Sequence, residues 1–127
     1  MRKRREYRQI QTEGLRVSLS HFVLIVAARP PAEGTEARLG VTASRKIGGA
    51  VQRNRAKRLV KEAFRATRRL FPTDIDLVVI VRTGLGDMKL AEVVAEWEAA
   101  SSLIARRIEG ARRALHAGPA AAKPLRG

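Results

Sequence analysis

Apolar and polar residues change rhythm several times along this chain, and each rhythm predicts an element. His21-Phe22-Val23-Leu24-Ile25-Val26-Ala27-Ala28 is apolar on both faces, as a strand covered on both sides would be. Leu77-Val78-Val79-Ile80-Val81 predicts a second strand of that kind. Residues 37–44 alternate instead: Leu39, Val41 and Ala43 face one way, and Gly40, Thr42 and Ser44 face the other. That pattern predicts a strand with one apolar face and one small, polar face. Residues 3–13 predict a short helix with Tyr7 and Ile10 on one side of a basic surface and Gly14 as its stop. Arg29-Pro30-Pro31-Ala32-Glu33-Gly34 is a loop by its proline and glycine content. Thr83-Gly84-Leu85-Gly86-Asp87 predicts a turn ending in Asp87 as an N-cap. Residues 88–113 then predict the longest helix, with Leu90, Val93, Val94, Trp97, Ser101, Ile104 and Ile108 at helical spacing. Trp97 lies on that stripe and reads as core rather than as a base-stacking platform. Neither a repeat nor a linker divides the chain. Residues 1–115 read as one domain, and residues 116–127, rich in Ala, Gly and Pro, as a disordered tail.

Residues 50–71 separate into two arcs when placed at about 100° per residue. Ala56, Leu59, Val60, Ala63, Phe64, Thr67, Leu70 and Phe71 fill one arc. Asn54, Arg55, Lys57, Arg58, Lys61, Arg65, Arg68 and Arg69 fill the other, with Arg53 at the border and Glu62 the only acid. Helical neighbours three and four apart share a face, so like charges stand roughly 5–6 Å apart and repel mildly. Phosphates interleaved among them would relieve that repulsion and release counterions. A charge run is usually a solvated face, but such faces mix Glu with Lys, and this one does not.

Composition sharpens the picture. The chain has 127 residues, 45% of them hydrophobic, which suits one domain with a packed core. Lys and Arg number 26 against 12 Asp and Glu, a formal net charge of +14. Residues 44–69 hold ten bases (Arg45 and Lys46 among them) and one acid, whereas residues 70–100 hold six acids and two bases. Solubility alone asks for a net charge of only about 2 to 8 on a small domain, so the basic end points to a polyanion. Cysteine is absent, which excludes disulfides and thiolate chemistry, and two histidines leave little for a metal cage or a triad. No apolar run approaches the roughly 20 residues that span a bilayer, and the basic N-terminus lacks the apolar stretch of a secretory signal. The expectation is a small, soluble, cytoplasmic nucleic-acid-binding domain with no membrane partner.

Ser44-Arg45-Lys46-Ile47-Gly48-Gly49 leads into the basic helix, with two glycines that permit a sharp turn or a close backbone approach. The stretch from Arg38-Leu39-Gly40-Val41-Thr42-Ala43-Ser44-Arg45-Lys46-Ile47-Gly48-Gly49 through Ala50-Val51-Gln52-Arg53-Asn54-Arg55-Ala56-Lys57-Arg58-Leu59 resembles the signature of the bacterial ribonuclease P protein subunit. A looser likeness extends over about residues 3–108. The resemblance implies an α+β fold: a small two-layer sandwich of the α-β-β-β-α type with a mixed sheet and a left-handed βαβ crossover, like the second domain of ribosomal protein S5. General chirality would favour the right-handed form in about 98% of cases, so the hand comes from the resemblance alone.

The resemblance further implies the small subunit of a ribonucleoprotein endoribonuclease. It removes the 5′ leader of precursor tRNA and leaves a 5′-phosphate on the mature tRNA, with the catalytic centre in the RNA. Carried onto this chain, Arg53, Asn54, Arg55, Lys57, Arg58, Lys61 and Arg65 would lie at the junction of catalytic RNA and substrate, flanked by Arg45 and Lys46. The leader cleft would have Gly40, Thr42 and Ser44 as floor, Ile25 on the neighbouring strand and Tyr7 as a wall. Mg2+ is expected in the holoenzyme, bound mainly by RNA, and the protein is expected as a monomer within the particle. Gln11 and Ile25 stand where the family often has aromatics. Stacking is worth about 1–3 kcal/mol per base, so this cleft is expected to hold its leader more by charge.

Two other readings compete with this one. A protein nuclease needs carboxylates gathered around a cation, and the acids here lie in residues 70–100, away from the basic helix in sequence; neither His21 nor His116 has a partner at general-acid spacing. A ribosomal or other structural RNA-binding protein would share the charge and the small mixed fold, and the long match through Arg53-Asn54-Arg55 separates the two.

Overall fold

A computed structural model describes residues 14–29 and 37–117, with the side chains of residues 116 and 117 outside the description. Among the described residues the strands are β1 (Leu15–Ser18), β2 (Phe22–Ala28), β3 (Arg38–Thr42) and β4 (Ile75–Val81). The helices are α1 (Ala50–Ala66), α2 (Leu90–Ala99) and α3 (Ser101–Ala117), and 3-10 turns occupy Arg45–Ile47 and Arg68–Leu70. The sheet order is β1-β2-β4-β3. β1 and β4 both run antiparallel to β2, while β3 and β4 are parallel neighbours joined through α1. The α+β class with a mixed sheet is therefore what the chain adopts. The expected helix over 3–13, with Tyr7, the loop beyond Arg29 and the tail beyond Ala117 lie outside the described residues. No helix among those described is long and apolar enough to cross a membrane.

Successive strand residues point to opposite faces, and the register decides which face is which. Val17, Phe22, Leu24, Val26, Leu77, Val79 and Val81 share one face and are buried with Ala56, Val60, Ala63, Phe64, Val93, Trp97, Ile104 and Ile108 of the helices. Trp97 is fully buried, with Phe22 and Phe71 edge-on at centroid distances of 6.0 and 6.1 Å. Such T-shaped pairs set the ring edge against the π face. The other face of the sheet carries a smaller apolar cluster, Ile25 and Val78, flanked by Val23, Ala27 and Ile80.

Several boundaries differ from the sequence reading. β1 was not expected: four residues after Gly14 are too short for alternation to stand out, and only pairing with β2 makes Leu15–Ser18 a strand. The helix expected over 88–113 is two helices. The chain turns at Ala100, whose N–H donates to Trp97 O at 3.0 Å. The buried stripe continues across the break through Trp97 and Ile104, which is why periodicity alone joins them. α2 begins at Leu90, capped at Lys89, and the Glu92 carboxylate accepts the Lys89 N–H at 2.7 Å; Asp87 is exposed in the preceding turn and caps nothing. α1 ends at Ala66, four residues before Leu70, and α3 extends through His116 to Ala117.

Candidate nucleic-acid interface

α1 is amphipathic because its small and apolar residues recur every three or four positions. Ala56, Val60, Ala63 and Phe64 are buried, packing the helix toward β3 and α2. Asn54, Arg58, Lys61 and Arg65 are exposed, and Arg53 and Lys57 are half-buried. Val51 in the first turn is 79% exposed, a large apolar side chain set amid the basic surface. Arg45 and Lys46 are exposed in the preceding 3-10 turn, where Ser44 Oγ accepts the Lys46 N–H at 3.3 Å. Gly48 has φ of 143°, and a Cβ there would stand 3.0 Å from Gln52 Cβ. Only glycine takes that backbone easily, so Gly48 sets the angle at which the turn feeds α1.

Arg55 is positioned differently from the other bases. Its guanidinium donates to Gly86 O at 2.9 Å and to Met88 O, fastening α1 to the turn before α2. Nothing in the sequence marks this, because an acceptor made of backbone carbonyls has no residue type. Among the described residues no carboxylate pairs with Arg45, Lys46, Arg53, Lys57, Arg58, Lys61 or Arg65. Several acids are engaged elsewhere: Asp74 with Arg112, Asp76 with Arg29 and Arg38, Glu96 with His21, and Glu98 with Arg69, while Glu62 is exposed on α1 itself.

The expected cleft floor falls on the second face of the sheet, with one correction. The strand of Ile25 does not neighbour that of Gly40, because β4 lies between them and the row runs Ile25, Val78, Gly40. β4 takes the centre because its residues are apolar on both faces and lose least by being covered twice. Ile25, Val78 and Gly40 are buried, Thr42 beside Ile80 is half-buried, and Ser44 is exposed beyond the strand end. Sequence reasoning missed Val78, whose place in the row only the strand order reveals. Tyr7, the expected wall, lies outside the described residues.

At one end of that face Asp76 accepts from Arg29 Nε at 2.8 Å and from Arg38 Nε and Nη2 at 2.9 and 2.8 Å. Burial pushes the Asp76 carboxyl up, but the hydrogen bonds from the two arginines outweigh it and hold the group below the usual carboxylate range. Asp74 is likewise lowered, chiefly by its hydrogen bonds from Arg112. These residues secure the strand ends around Arg29 and Arg38 and leave the α1 surface to its positive charge.

Comparison with known proteins agrees with this layout. The family pattern described as Ribonuclease P matches residues 1–104. A ribonuclease P protein component from Syntrophus aciditrophicus is 41% identical over 96 residues, which are 76% of this chain and 78% of that protein. The solved RNase P protein from Thermotoga maritima superposes with a TM-score of 0.67 at 30% identity, covering 78% of this chain and 91% of its own. That from Staphylococcus aureus gives 0.68 at 27% identity, covering 85% and 95%. With the family pattern, the relatives and the solved folds in agreement, the chain belongs to the family of ribonuclease P protein components.

Proposed function

We propose that this chain works as the RNA-binding subunit of ribonuclease P, engaging a catalytic RNA and the 5′ leader of precursor tRNA so that the leader is removed. The observation that carries the reading is the outer surface of α1, where Arg58, Lys61 and Arg65 are exposed without an ion pair to a carboxylate of the described residues and Glu62 is the only acid of the helix. Held by a buried apolar face, the bases are fixed relative to the sheet, so the ribose-phosphate chains meet a preset array. Arg45, Lys46, Arg53, Asn54 and Lys57 extend that array, and the second face of the sheet with Thr42 and Ser44 forms the adjoining trough for the single-stranded leader. Arg55 contributes by anchoring the helix as well as by charge.

Hydrolysis to a 5′-phosphate belongs to the RNA in this reading. Mg2+ would be held mainly there, since Asp74 and Asp76 are already bonded to arginines. A cytoplasmic location and a monomeric protein within the particle fit the same role. The test is to add the purified chain to a bacterial ribonuclease P RNA with a 5′-extended precursor tRNA. Faster leader removal at low magnesium is expected, and the protein alone should cleave nothing. Absence of any effect on such RNAs would favour a structural RNA-binding role, and robust cleavage without RNA would move the catalytic centre into the protein.

A further inference from the structure

Val51 is the most exposed large apolar side chain among the described residues, at 79%. A single exposed apolar residue ordinarily needs no explanation; the position of this one does. Val51, Arg58 and Arg65 are spaced by seven residues, so they rise in one line along α1, about 10 Å per step with a drift of only about 20°. That line runs on the side of the helix opposite the buried Ala56, Val60, Ala63 and Phe64. Val51 therefore heads the outermost row of the basic surface, where a merely solvated helix would carry a polar residue.

The surrounding side chains narrow what can meet it. Residues three, four and seven further on share its face: Asn54, Arg55 and Arg58. Arg55 is committed to the Gly86 and Met88 carbonyls. Gln52 is folded back over the glycine turn, its Oε1 3.4 Å from where a Gly49 Cβ would stand. Arg58 and the preceding Arg45 and Lys46 are exposed cations. Asn54 is exposed and its amide bonds no described residue, which leaves it as the uncommitted neutral donor and acceptor beside Val51. Glu62, the only acid of the helix, stands about 16 Å further along the axis. Cations on both sides suit ribose-phosphate, while the broad apolar surface that RNA offers an aliphatic group is the face of a base. In a paired stem those faces are stacked out of reach, so the partner of Val51 is an unpaired base. A carboxamide sets a donor beside an acceptor, which matches N7 and N6 on the edge of adenine.

The fold selects the RNA. α1 lies with the core on the face of the sheet that carries Leu24 and Val79, and its outer row points away from the sheet. The leader is assigned above to the opposite face, so the RNA that meets Val51 is the catalytic one. We propose that Val51 and Asn54 read one unpaired adenine of the catalytic RNA, Val51 against the face of the base and Asn54 on its N6–N7 edge. The inference rests on the RNA-subunit reading given above and adds to it a contact that is specific for a base and indifferent to salt.

The test uses the full chain, a bacterial ribonuclease P RNA and a 5′-extended precursor tRNA. Affinity for the catalytic RNA is measured against salt. Val51→Ala should bind about fourfold more weakly, the effect of re-exposing roughly one methylene, and Asn54→Ala about fivefold or more. Both should keep the log–log salt slope of the parent, because no phosphate contact is lost. The double variant should lose distinctly less than the product of the two, since both groups hold one base. Val51→Ile should restore binding, and none of these variants should melt below the parent, as both positions are exposed. Probing of adenine N7 with diethyl pyrocarbonate should show one adenine that the parent protects and the double variant leaves open. Parental affinity in Val51→Ala, independent losses in the double variant, or the lack of such an adenine would each overturn the site. A loss confined to binding of precursor tRNA by the assembled particle overturns it as well, by placing Val51 on the other RNA. An Arg58→Gln, Lys61→Gln, Arg65→Gln variant keeps the two readings apart. If it loses binding while Val51→Ala and Asn54→Ala match the parent, the adenine site falls and the subunit role stands; if none of them changes anything, both fall.

Discussion

Asp76 shows how one carboxylate settles the end of a sheet. Its two arginine partners, Arg29 and Arg38, bracket the loop between β2 and β3, and Arg29 is itself buried. Asp76→Asn removes the carboxylate charge that Arg29 and Arg38 share, and breaking a buried pair typically costs about 3–5 kcal/mol. Because the folded carboxyl lies below its ordinary value of 3.8, its stabilisation is complete above that value and fades as pH falls through the folded one. The stability gap between parent and Asp76→Asn, read by chemical denaturation, should therefore be widest near neutrality and close on acidification below about pH 4. A gap independent of pH would mean the carboxylate charge is not what matters. Trp97 offers a second check at this scale. Its Nε1 is buried with no partner among the described residues, so the ring is held by packing alone. Trp97→Ala should cost about 3–5 kcal/mol in denaturant unfolding, and Trp97→Phe distinctly less, because it keeps an aromatic between Phe22 and Phe71 and removes an unsatisfied donor.

At the level of elements, α1 depends on how it is entered and how it is fastened. Gly48→Ala puts a Cβ against Gln52 at positive φ, so a lower melting temperature is expected, about 1 kcal/mol or more of stability lost. Arg55→Ala cuts both bonds to the Gly86–Met88 turn and should cost about 1–2 kcal/mol, the low end for charged hydrogen bonds near solvent. If calorimetry finds Arg55→Ala as stable as the parent, Arg55 acts through its charge alone. The same elements show what is legible in the sequence. α1 and its two faces are readable because one period of 3.6 separates apolar from basic residues over many turns. β2 and the core of β4 are readable as unbroken apolar runs. β1 is not, since four alternating residues carry too little pattern, and the break at Ala100 is hidden by a stripe that passes through it. Of the interface, the identity of the bases is legible. The engagement of Arg55 by carbonyls and the insertion of β4 between Ile25 and Gly40 are not, since both depend on partners far away in the chain.

Across the whole molecule, charge is segregated by element rather than blended. Residues 44–69 hold ten bases and one acid, and pairing with arginines keeps Asp74 and Asp76 from neutralising them. A net charge of +14 on 127 residues should make association with RNA fast and steeply dependent on ionic strength. Stopped-flow binding to the catalytic RNA is expected to slow markedly between low and physiological salt. A rate indifferent to salt would show that the field does not steer the encounter.

β4 is hydrogen-bonded on both sides, yet it is the last of the described strands to be synthesised. Until Val81 has left the ribosome, the β1–β2 hairpin and β3 share no edge, and the strongly cationic segment of residues 44–69 emerges before the sheet that will hold it in place. A nascent chain cut short before β4 therefore lacks the strand that joins the β1–β2 hairpin to β3, and β4 supplies both of those pairings together. Assembly of the four-stranded sheet thus waits for residues 75–81, and completion of the core waits further for Val93, Trp97 and Ile104 of the helices that follow.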